Sequence, residues 1–309
     1  MFDTSIIAKK EVSMKILVTG GAGFIGSHIV DAYIEAGHEV VVVDDLSTGK
    51  IENLNPKAKF IQEGIYYSKE MHDIFKYEKF DIVNHHAAQI SAALSIEKPK
   101  NDVDTNIKGF INILECAKQY GVKKIIFSSS CAVYGNAEIP TSEDCPANPL
   151  SPYAISKLAG EYYLKFYNYR YGIDYTILRY ANIYGPRQIP NGESGVVAIF
   201  TKNLLSEKPS TIYHFGNTKG MIRDYCHVSD IVKANLLVLD KGSKEIYNIG
   251  TGVGTYTEDL FFALQKKLHV QSHKGLDYRI ARSGELIRSC LDITKAQREL
   301  GWYPIVGLN

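Results

Sequence analysis

The chain has 309 residues and a formal net charge of +1, and 45% of its residues are hydrophobic. These values are ordinary for a globular protein with a sizeable core, and they give no basic surface for nucleic acid or for an anionic membrane. The apolar runs are only a few residues long, too short for a helix that spans a bilayer. Residues 1–13 lack the apolar core of a secretory signal, and we expect them to form an N-terminal extension outside the fold.

The cysteine and histidine patterns argue against disulfides and metal sites. Five cysteines are present, an odd number, and no pair has CxxC spacing. This pattern favours reduced thiols and a cytoplasmic location over a disulfide framework or a zinc site. The nine histidines form no HExxH or similar array, so we predict no metal ion.

A strand, a glycine-rich turn and a helix are predicted at the start of the fold. Residues 16–18 are a short apolar run with β-branched side chains, which is typical of a buried strand. Gly20, Gly23 and Gly26 follow at every third position, and a helical spacing of apolar residues begins at Phe24. A backbone without Cβ atoms can approach a pyrophosphate closely, and the start of a helix offers it unpaired N–H groups and a positive dipole end.

A second predicted strand, residues 39–43, ends at Asp44. A carboxylate at this point can accept hydrogen bonds from the hydroxyls of a ribose and would repel a 2′-phosphate, which favours NAD over NADP. In the alternative interpretation the turn packs a helix against the sheet and binds nothing. The complete order of strand, glycine-rich turn, helix, strand and acidic residue favours a dinucleotide site.

Strands and helices continue to alternate up to residue 180. The predicted strands are residues 59–62, 81–85, 124–128 and 175–179, and the predicted helices are residues 68–78, 103–120 and 153–171. Short connections between alternating elements predict an α/β fold with a doubly wound parallel sheet of the Rossmann type.

Beyond residue 180 the pattern changes, and turns rich in glycine, proline and asparagine break up the chain. We predict helices near 196–206 and 257–268, a late strand at 245–250, and irregular chain between the second helix and Trp302. We therefore expect a smaller α/β domain that binds the substrate. The Rossmann domain is assigned residues 14–180 plus 226–250, and the smaller domain residues 181–225 plus 251–309. Ligands of such folds lie at the carboxyl ends of the strands, here between the two domains.

Two stretches meet the requirements of an acid–base site. Ser130 ends a predicted strand, and Tyr153 and Lys157 lie near the start of the next helix, where residues four apart share one face. A free tyrosine has a pKa of about 10, too high for a base at neutral pH. A neighbouring lysine cation favours the phenolate, and the positive charge of an oxidised nicotinamide would add to this effect. In the alternative interpretation, Tyr153 and Lys157 are simply neighbours on the surface of a helix. The order of these motifs along the chain disfavours this interpretation.

These motifs resemble the extended short-chain dehydrogenases/reductases that act on nucleotide sugars, most closely the 4-epimerases of UDP-glucose and UDP-N-acetylglucosamine. The resemblance spans residues 15–303 and follows the family's order. The stretches that carry it are TGGAGFIG at 19–26, DDLS at 44–47, HAAQ at 86–89, SSSCAVYG at 128–135, PYAISK at 152–157, RYANIYGPR at 179–187, RDY at 223–225 and RSGE at 282–285.

The resemblance implies a role for each matching residue. Tyr153 would be the catalytic base, Lys157 its activator and Ser130 its partner. NAD would be held by Gly20, Gly23, Phe24, Ile25 and Asp44, and its nicotinamide half would be lined by Ala87, Asn106 and Lys157. The UDP moiety would be held by Asn182, Arg223, Arg282 and Glu285, and two arginines suit a diphosphate by charge and by bidentate geometry.

The implied reaction is an isomerisation in which the sugar is oxidised at C4, turns over in the site and is reduced on its other face. Tyr153 would take the proton of the 4-hydroxyl, and NAD would take the hydride and return it, so that NAD stays bound. The resemblance also implies a homodimer formed through the helices near 103–120 and 153–171. The aromatic stretch 161–175 is equally compatible with such an interface and with a helix packed on the sheet.

The chain departs from the family pattern at two places. Ile65 follows Gly64 where the family usually has an aspartate that contacts adenine, and the chain ends at Asn309, a helix short of many relatives. Ser289 stands where the family varies between a bulky aromatic and a small residue. Because serine leaves space for a 2-N-acetyl group, we expect UDP-N-acetylglucosamine to be accepted alongside UDP-glucose.

Three alternative functions share this fold. A nucleotide-sugar 4,6-dehydratase needs an acid and a base just after the strand serine, where this chain has Cys131 and Ala132. A UDP-glucuronate decarboxylase would need further carboxylate-binding groups, which the sequence does not identify. A regulator that senses NAD without catalysis usually lacks the tyrosine and the lysine, and both are present here as Tyr153 and Lys157.

Overall fold

The structure, a computed structural model, describes residues 13–190, 195–216, 219–270, 275–281 and 285–308. Its strands are β1 (Lys15–Thr19), β2 (Glu39–Asp44), β3 (Lys59–Gln62), β4 (Ile82–His85), β5 (Lys124–Ser130), β6 (Asp174–Tyr180), β7 (Asn182–Tyr184), β8 (Ser210–His214), β9 (Ile222–His227), β10 (Glu245–Ile249), β11 (Gly254–Tyr256) and β12 (Leu276–Ile280). Its helices are α1 (Phe24–Glu35), α2 (Ser68–Glu78), α3 (Ala92–Glu97), α4 (Pro99–Asp102), α5 (Phe110–Tyr120), α6 (Pro152–Tyr171), α7 (Val196–Leu205), α8 (Val228–Leu237), α9 (Thr257–Lys267) and α10 (Thr294–Leu300).

Seven strands form one parallel sheet in the order β10-β6-β5-β4-β1-β2-β3. The chain runs from β1 outward to β3 and then returns to β4 on the other side of β1. Such a reversal opens a crevice at the carboxyl ends of the two central strands, where ligands of open α/β sheets bind. The predicted doubly wound Rossmann sheet is confirmed.

Both faces of this sheet are covered by apolar core. Ile16 and Val18 of β1 belong to the same buried cluster as Tyr33 of α1. Leu17, between them, belongs to a second cluster that includes Phe110 of α5. Successive side chains of a strand point to opposite faces, so a strand with helices on both sides must be apolar throughout.

A smaller α/β region follows the large sheet. Strands β11, β9 and β7 form a three-stranded sheet, and β12 pairs in parallel with β8. Its buried core consists of Phe200, Leu204, Ile212, Tyr225, Leu260 and Phe261. The predicted fold class, a Rossmann sheet with a smaller α/β region, is therefore confirmed, and the predicted domain boundaries stay a prediction. None of the helices in the described ranges combines the length and the apolar character that crossing a membrane requires.

Two segments differ from the prediction made from sequence. The predicted helix 103–120 begins with a π-helical turn, Val103–Gly109, before α5 starts. A Cβ on Gly109 would lie 2.8 Å from the Ile65 side chain, so this turn packs against a residue far away in sequence. The predicted irregular tail contains β12 and α10. Both are short and β12 is mostly exposed, so neither has a long hydrophobic period.

The last described residues are held by the start of α8. Trp302 is 1% exposed, and its indole Nε1 donates to the Asp230 carbonyl oxygen at 2.8 Å. The backbone N–H groups of Ile305 and Val306 donate to Asp230 Oδ2 at 3.1 and 3.0 Å. This carboxylate lies in the first turn of α8, where negative charge also stabilises the helix. One acidic residue thus joins the tail to the core.

We predict that Trp302→Ala lowers the free energy of unfolding by about 3–5 kcal/mol, because it leaves a large cavity in the core. Trp302→Phe, which keeps most of the apolar ring and loses the hydrogen bond, should lose less. The measurement is chemical denaturation followed by far-UV circular dichroism, since the chain's single tryptophan is absent from both variants. A loss below about 1 kcal/mol for the alanine variant would contradict a core role for the tail.

Candidate active site

A cavity of about 980 Å³ opens at the carboxyl ends of the central strands and continues into the smaller α/β region. Its walls include the turn after β1, the ends of β2 and β5, and side chains of α7 and β9. A volume of this size lies at the upper end of the range found for small-molecule sites. The crevice predicted by the strand order is therefore a single large binding cavity.

The turn after β1 forms one wall of this cavity. Gly20 has a φ of 71°, its N–H donates to the Val43 carbonyl at 2.8 Å, and a Cβ there would lie 2.6 Å from the Ala87 nitrogen. A side chain at this position would therefore push β1 and β4 apart. A Cβ on Gly23 would meet, within the described residues, the Gly20 carbonyl oxygen at 3.1 Å and otherwise open space. The turn is closed towards the sheet and open towards the cavity.

The first residues of α1, Phe24 and Ile25, also line the cavity. In the part of the chain that the structure describes, no side chain caps this helix, whose N-cap residue is Gly23. The first N–H groups of a helix have no partner within the helix, and its dipole makes this end positive. The open glycine turn and the free helix start together fit a pyrophosphate group.

Asp44 ends β2 beside this turn and is 7% exposed. Its Oδ2 accepts from the Ala22 N–H at 3.0 Å, and its Oδ1 accepts from the Leu46 N–H at 2.8 Å. Burial raises the pKa of this carboxyl, and the backbone hydrogen bonds oppose the rise. Each oxygen of an ionised carboxylate keeps a second lone pair. The carboxylate therefore fits a ribose diol, and the turn, the helix start and Asp44 together fit NAD.

The three predicted acid–base residues all line the cavity. Helix α6 begins where the Ser151 Oγ accepts from the Ala154 N–H at 3.2 Å, with a proline in the first helical position. This start places Tyr153 in the first turn of α6 and Lys157 one turn later. Ser130 is the last residue of β5, and its Oγ accepts from the Ala132 N–H at 3.2 Å. A strand end and a helix start thus converge on one point.

Burial drives both members of the tyrosine–lysine pair towards their uncharged forms. Burial raises the pKa of Tyr153 to about 12, and a hydrogen bond with Ser130 opposes the rise. Burial lowers the pKa of Lys157 to about 8, and the charge of Asp102 opposes the fall. Lys157 Nζ donates to the Ser128 carbonyl at 2.7 Å and lies 5.9 Å from the centre of the Tyr153 ring. Ionisation of the phenol near neutral pH therefore requires positive charge in addition to Lys157.

The loop after β4 forms the wall next to Lys157. Ala87 lines the cavity. Asn106 lies behind this loop, where its Oδ1 accepts from the Gln89 N–H at 2.8 Å and its Nδ2 donates to the Gln89 carbonyl at 2.9 Å. The same Nδ2 donates to Oδ1 of the fully buried Asp102 at 2.9 Å. These contacts position the loop, so that Asn106 supports the wall that Ala87 presents to the cavity.

An ion pair lies directly behind the serines of β5. Arg179 Nε donates to Glu161 Oε1 at 2.9 Å, and Arg179 Nη2 donates to Glu161 Oε2 at 2.6 Å. Ser129 Oγ donates to Glu161 Oε1 at 2.6 Å, and Arg179 Nη1 donates to the Tyr134 hydroxyl at 2.8 Å. Both charged groups are buried, with 5% and 1% exposure. This pair fastens α6 to the ends of β5 and β6.

The predicted UDP-binding residues Asn182, Arg223 and Glu285 line the far part of the cavity. Arg223 is oriented by hydrogen bonds from its guanidinium to the Ile222 carbonyl at 2.9 Å and the Leu286 carbonyl at 2.7 Å. Within the described residues, the buried Asn182 Nδ2 and Glu285 Oε2 have no hydrogen-bond partner. Arg282 lies outside the described residues. Buried polar atoms normally have partners, so this wall fits a polar ligand.

Tyr225 lines the same wall and was not predicted as a site residue. Its side chain is 3% exposed, and its hydroxyl has no hydrogen-bond partner within the described residues. Tyr225 and Arg223 are two residues apart on β9, so they lie on the same face of the strand. This spacing, together with the predicted role of Arg223, is the signal that could have identified it.

Ser289 also lines the cavity, close to Cys131. Its N–H donates to the Ile222 carbonyl at 3.0 Å, and its side chain is 7% exposed. Burial raises the pKa of the Cys131 thiol, and hydrogen bonds with Ser289 and Ser130 oppose the rise. The part of the cavity next to Ser130 is therefore lined by the small side chains of Ser130, Cys131 and Ser289, none of which is a carboxylate.

Comparisons with known proteins agree with this arrangement. The family model described as "NAD dependent epimerase/dehydratase family" matches residues 16–250. The chain is 41% identical over 303 residues to UDP-glucose 4-epimerase of Mycolicibacterium smegmatis, an alignment that covers 96% of this chain and 95% of that protein.

Two solved structures extend this similarity to the fold. The crystal structure of UDP-glucose 4-epimerase from Thermotoga maritima with UDP-glucose is 48% identical, with a TM-score of 0.91 and coverage of 96% of this chain and 95% of that chain. A UDP-N-acetylglucosamine 4-epimerase from Methanobrevibacter ruminantium M1, in complex with UDP-N-acetylmuramic acid, is 34% identical, with a TM-score of 0.87 and coverage of 95% and 93%. The chain therefore belongs to the NAD dependent epimerase/dehydratase family.

Proposed function

We propose that this chain is an NAD-dependent isomerase that interconverts UDP-glucose and UDP-galactose by epimerisation at C4. The observation that carries this proposal is the content of one cavity. The glycine turn and Asp44 lie in one part of this cavity, and Arg223 and the unpartnered polar atoms lie in another part. Tyr153 lines the same cavity. The family match and the similarity to UDP-glucose 4-epimerases support this activity.

In the proposed mechanism, Tyr153 takes the proton of the sugar 4-hydroxyl at its phenol oxygen and later returns it. NAD, when bound, supplies the acceptor and donor of the C4 hydride and a positive charge near the phenol. Ser130 hydrogen-bonds the same sugar hydroxyl, and Lys157, held by the Ser128 carbonyl, adds positive charge to the site. Lys157 is 5% exposed and Tyr153 lies on the cavity wall, so a bound substrate and cofactor would displace the water beside both groups.

The UDP moiety is proposed to anchor the substrate while the sugar turns over. Arg223 supplies a fixed guanidinium for the diphosphate, and Asn182 Nδ2, Glu285 Oε2 and the Tyr225 hydroxyl gain partners when the nucleotide binds. Arg282 joins this set by resemblance to the family. Small side chains next to Ser130 leave the 4-keto intermediate room to rotate.

The residue after Ser130 argues against the dehydratase alternative. A dehydratase expels the 6-hydroxyl with an acid and a base at two positions where this chain has Cys131 and Ala132 instead. Because burial raises the pKa of the Cys131 thiol, it stays protonated at neutral pH and cannot replace a carboxylate.

The remaining assignments follow from this function. We assign NAD binding to residues 14–180 plus 226–250 and nucleotide-sugar binding to residues 181–225 plus 251–309. We place the enzyme in the cytoplasm. Both the odd number of cysteines and the nucleotide-linked substrate are consistent with this location.

A homodimer through α5 and α6 is also proposed. The supporting observation is the solvent face of α6, which carries large aromatic side chains. Tyr162 is 61% exposed, Phe166 51% and Tyr169 88%. Exposed aromatic residues concentrated on one helix are typical of protein interfaces.

Purified protein incubated with UDP-galactose, without added NAD, should form UDP-glucose that chromatography resolves. Tyr153→Phe should lower the rate by about 10²–10⁴, the usual contribution of a general base, while UDP-galactose still binds. A variant that keeps most of its rate would refute the assignment of the base. A 4-keto-6-deoxy product would instead identify a dehydratase.

Ser289→Tyr should abolish turnover of UDP-N-acetylgalactosamine and spare that of UDP-galactose, because a ring at this position would occupy the space of the 2-N-acetyl group. The measurement is kcat/KM for both sugars, with Ser289→Ala as the matched control that keeps the space. Equal losses for the two sugars in the tyrosine variant would refute the proposal that the small Ser289 side chain leaves space for the 2-N-acetyl group.

Phe166→Arg should convert the protein to monomers, since an unpaired charge would be buried in the interface. Light scattering after size exclusion measures the mass, and Tyr77→Arg on α2, where Tyr77 is 74% exposed, is the control. A monomeric wild type would refute the proposed dimer.

A further inference from the structure

The cavity has an end that the acid–base residues do not reach. Tyr153 and Lys157 face the side of the crevice formed by β4 and β5, whereas Asp44 ends β2 on the other side of β1. Suppose that a dinucleotide has its pyrophosphate on the glycine turn after β1 and its nicotinamide ring at Tyr153. Its adenine must then lie on the other side of the turn, beyond Asp44. The neighbouring strand there is β3, whose last residue, Gln62, pairs with Asp44.

The four residues after β3 close this end of the cavity. The Glu63 N–H donates to the Asp44 carbonyl at 3.2 Å, which continues the sheet register into the loop. Glu63 Oε1 accepts from the N–H of the next residue, Gly64, at 2.9 Å. Ile65 is 4% exposed and belongs to the apolar core. The Glu63 carboxylate therefore binds the backbone of the turn, and the Ile65 side chain packs into the core.

Tyr66 is the remaining side chain of this loop that lines the cavity. Its ring lies directly against Gly64, where a Cβ would be 2.8 Å from the ring carbons. The Tyr67 ring packs on it, with centroids 4.4 Å apart and planes at 49°. Tyr66 nevertheless keeps 42% of its surface exposed. Gly64 and a second ring thus fix the position of the Tyr66 ring on the wall at the far end of the cavity.

We propose that the Tyr66 ring forms one wall of the adenine site, where the base of NAD stacks on it. Aromatic stacking replaces the aspartate contact that Ile65 cannot make. Every base has an apolar π face, so a ring held in place can bind adenine without a carboxylate. This inference rests on the proposed function, because it takes NAD as the occupant of the cavity.

The test compares two halves of the cofactor. Nucleotide-free protein is titrated calorimetrically with ADP-ribose, which carries adenine, and with nicotinamide mononucleotide, which does not. Tyr66→Ala should weaken ADP-ribose binding about 5- to 150-fold, the usual effect of losing one stacked base, and leave the mononucleotide unchanged. Tyr66→Phe should bind both as the wild type does. Tyr67→Ala, the matched control next to it, should change ADP-ribose binding less than Tyr66→Ala.

Other outcomes separate this inference from the proposed function. Wild-type affinity for ADP-ribose in Tyr66→Ala would overturn the stacking site alone. A loss in Glu63→Gln without one in Tyr66→Ala would overturn it in favour of a carboxylate contact. A wild-type protein that binds neither NAD nor ADP-ribose would overturn the proposed function, whatever the variants do.

Discussion

The buried ion pair between Arg179 and Glu161 is the contact on which the position of the active site most depends. Glu161 lies four residues after Lys157 and eight after Tyr153, so all three share one face of α6. Its carboxylate joins Arg179 of β6 to Ser129, the neighbour of Ser130. Breaking a buried pair typically costs about 3–5 kcal/mol, because the remaining charge is left uncompensated. The pair therefore keeps the helix that carries Tyr153, the proposed base, in register with the strand that carries Ser130.

The charges around Tyr153 indicate a site that is complete only with its cofactor. Burial raises the pKa of Tyr153 to about 12 and lowers that of Lys157 to about 8, so near neutral pH the polypeptide alone holds a neutral phenol beside a lysine that is still mostly protonated. Asp102 and the loop it fixes lie outside the reacting centre but set the environment of Lys157. Partial burial penalises a free phenolate, and an added fixed positive charge offsets that penalty. This arrangement would couple ionisation of Tyr153, the proposed base, to occupancy of the cavity.

Much of this fold could be predicted because its signals are local. Continuous apolar runs mark the central strands, and Gly20 follows directly after the first of them, where the chain must turn. The parts that were missed depend on contacts between distant residues. The π-helical turn accommodates Ile65, and Lys157 finds its partner in a backbone carbonyl of β5, which no side-chain pattern reveals. Tyr225 lies in a region of short elements, where its place in the cavity follows only once β9 is known.

The strand order also has a consequence for synthesis of the chain on the ribosome. The sheet is completed only when β10 pairs with β6, through Glu245 and Thr176 at one end and Ile249 and Tyr180 at the other. Translation from residue 180 to residue 249 takes roughly 3–14 s at typical elongation rates. During that interval the emerging polypeptide presents β6 as an unpaired edge, which is open to association with other nascent chains. Chaperone demand should therefore be greatest while the segment between these two strands is being translated.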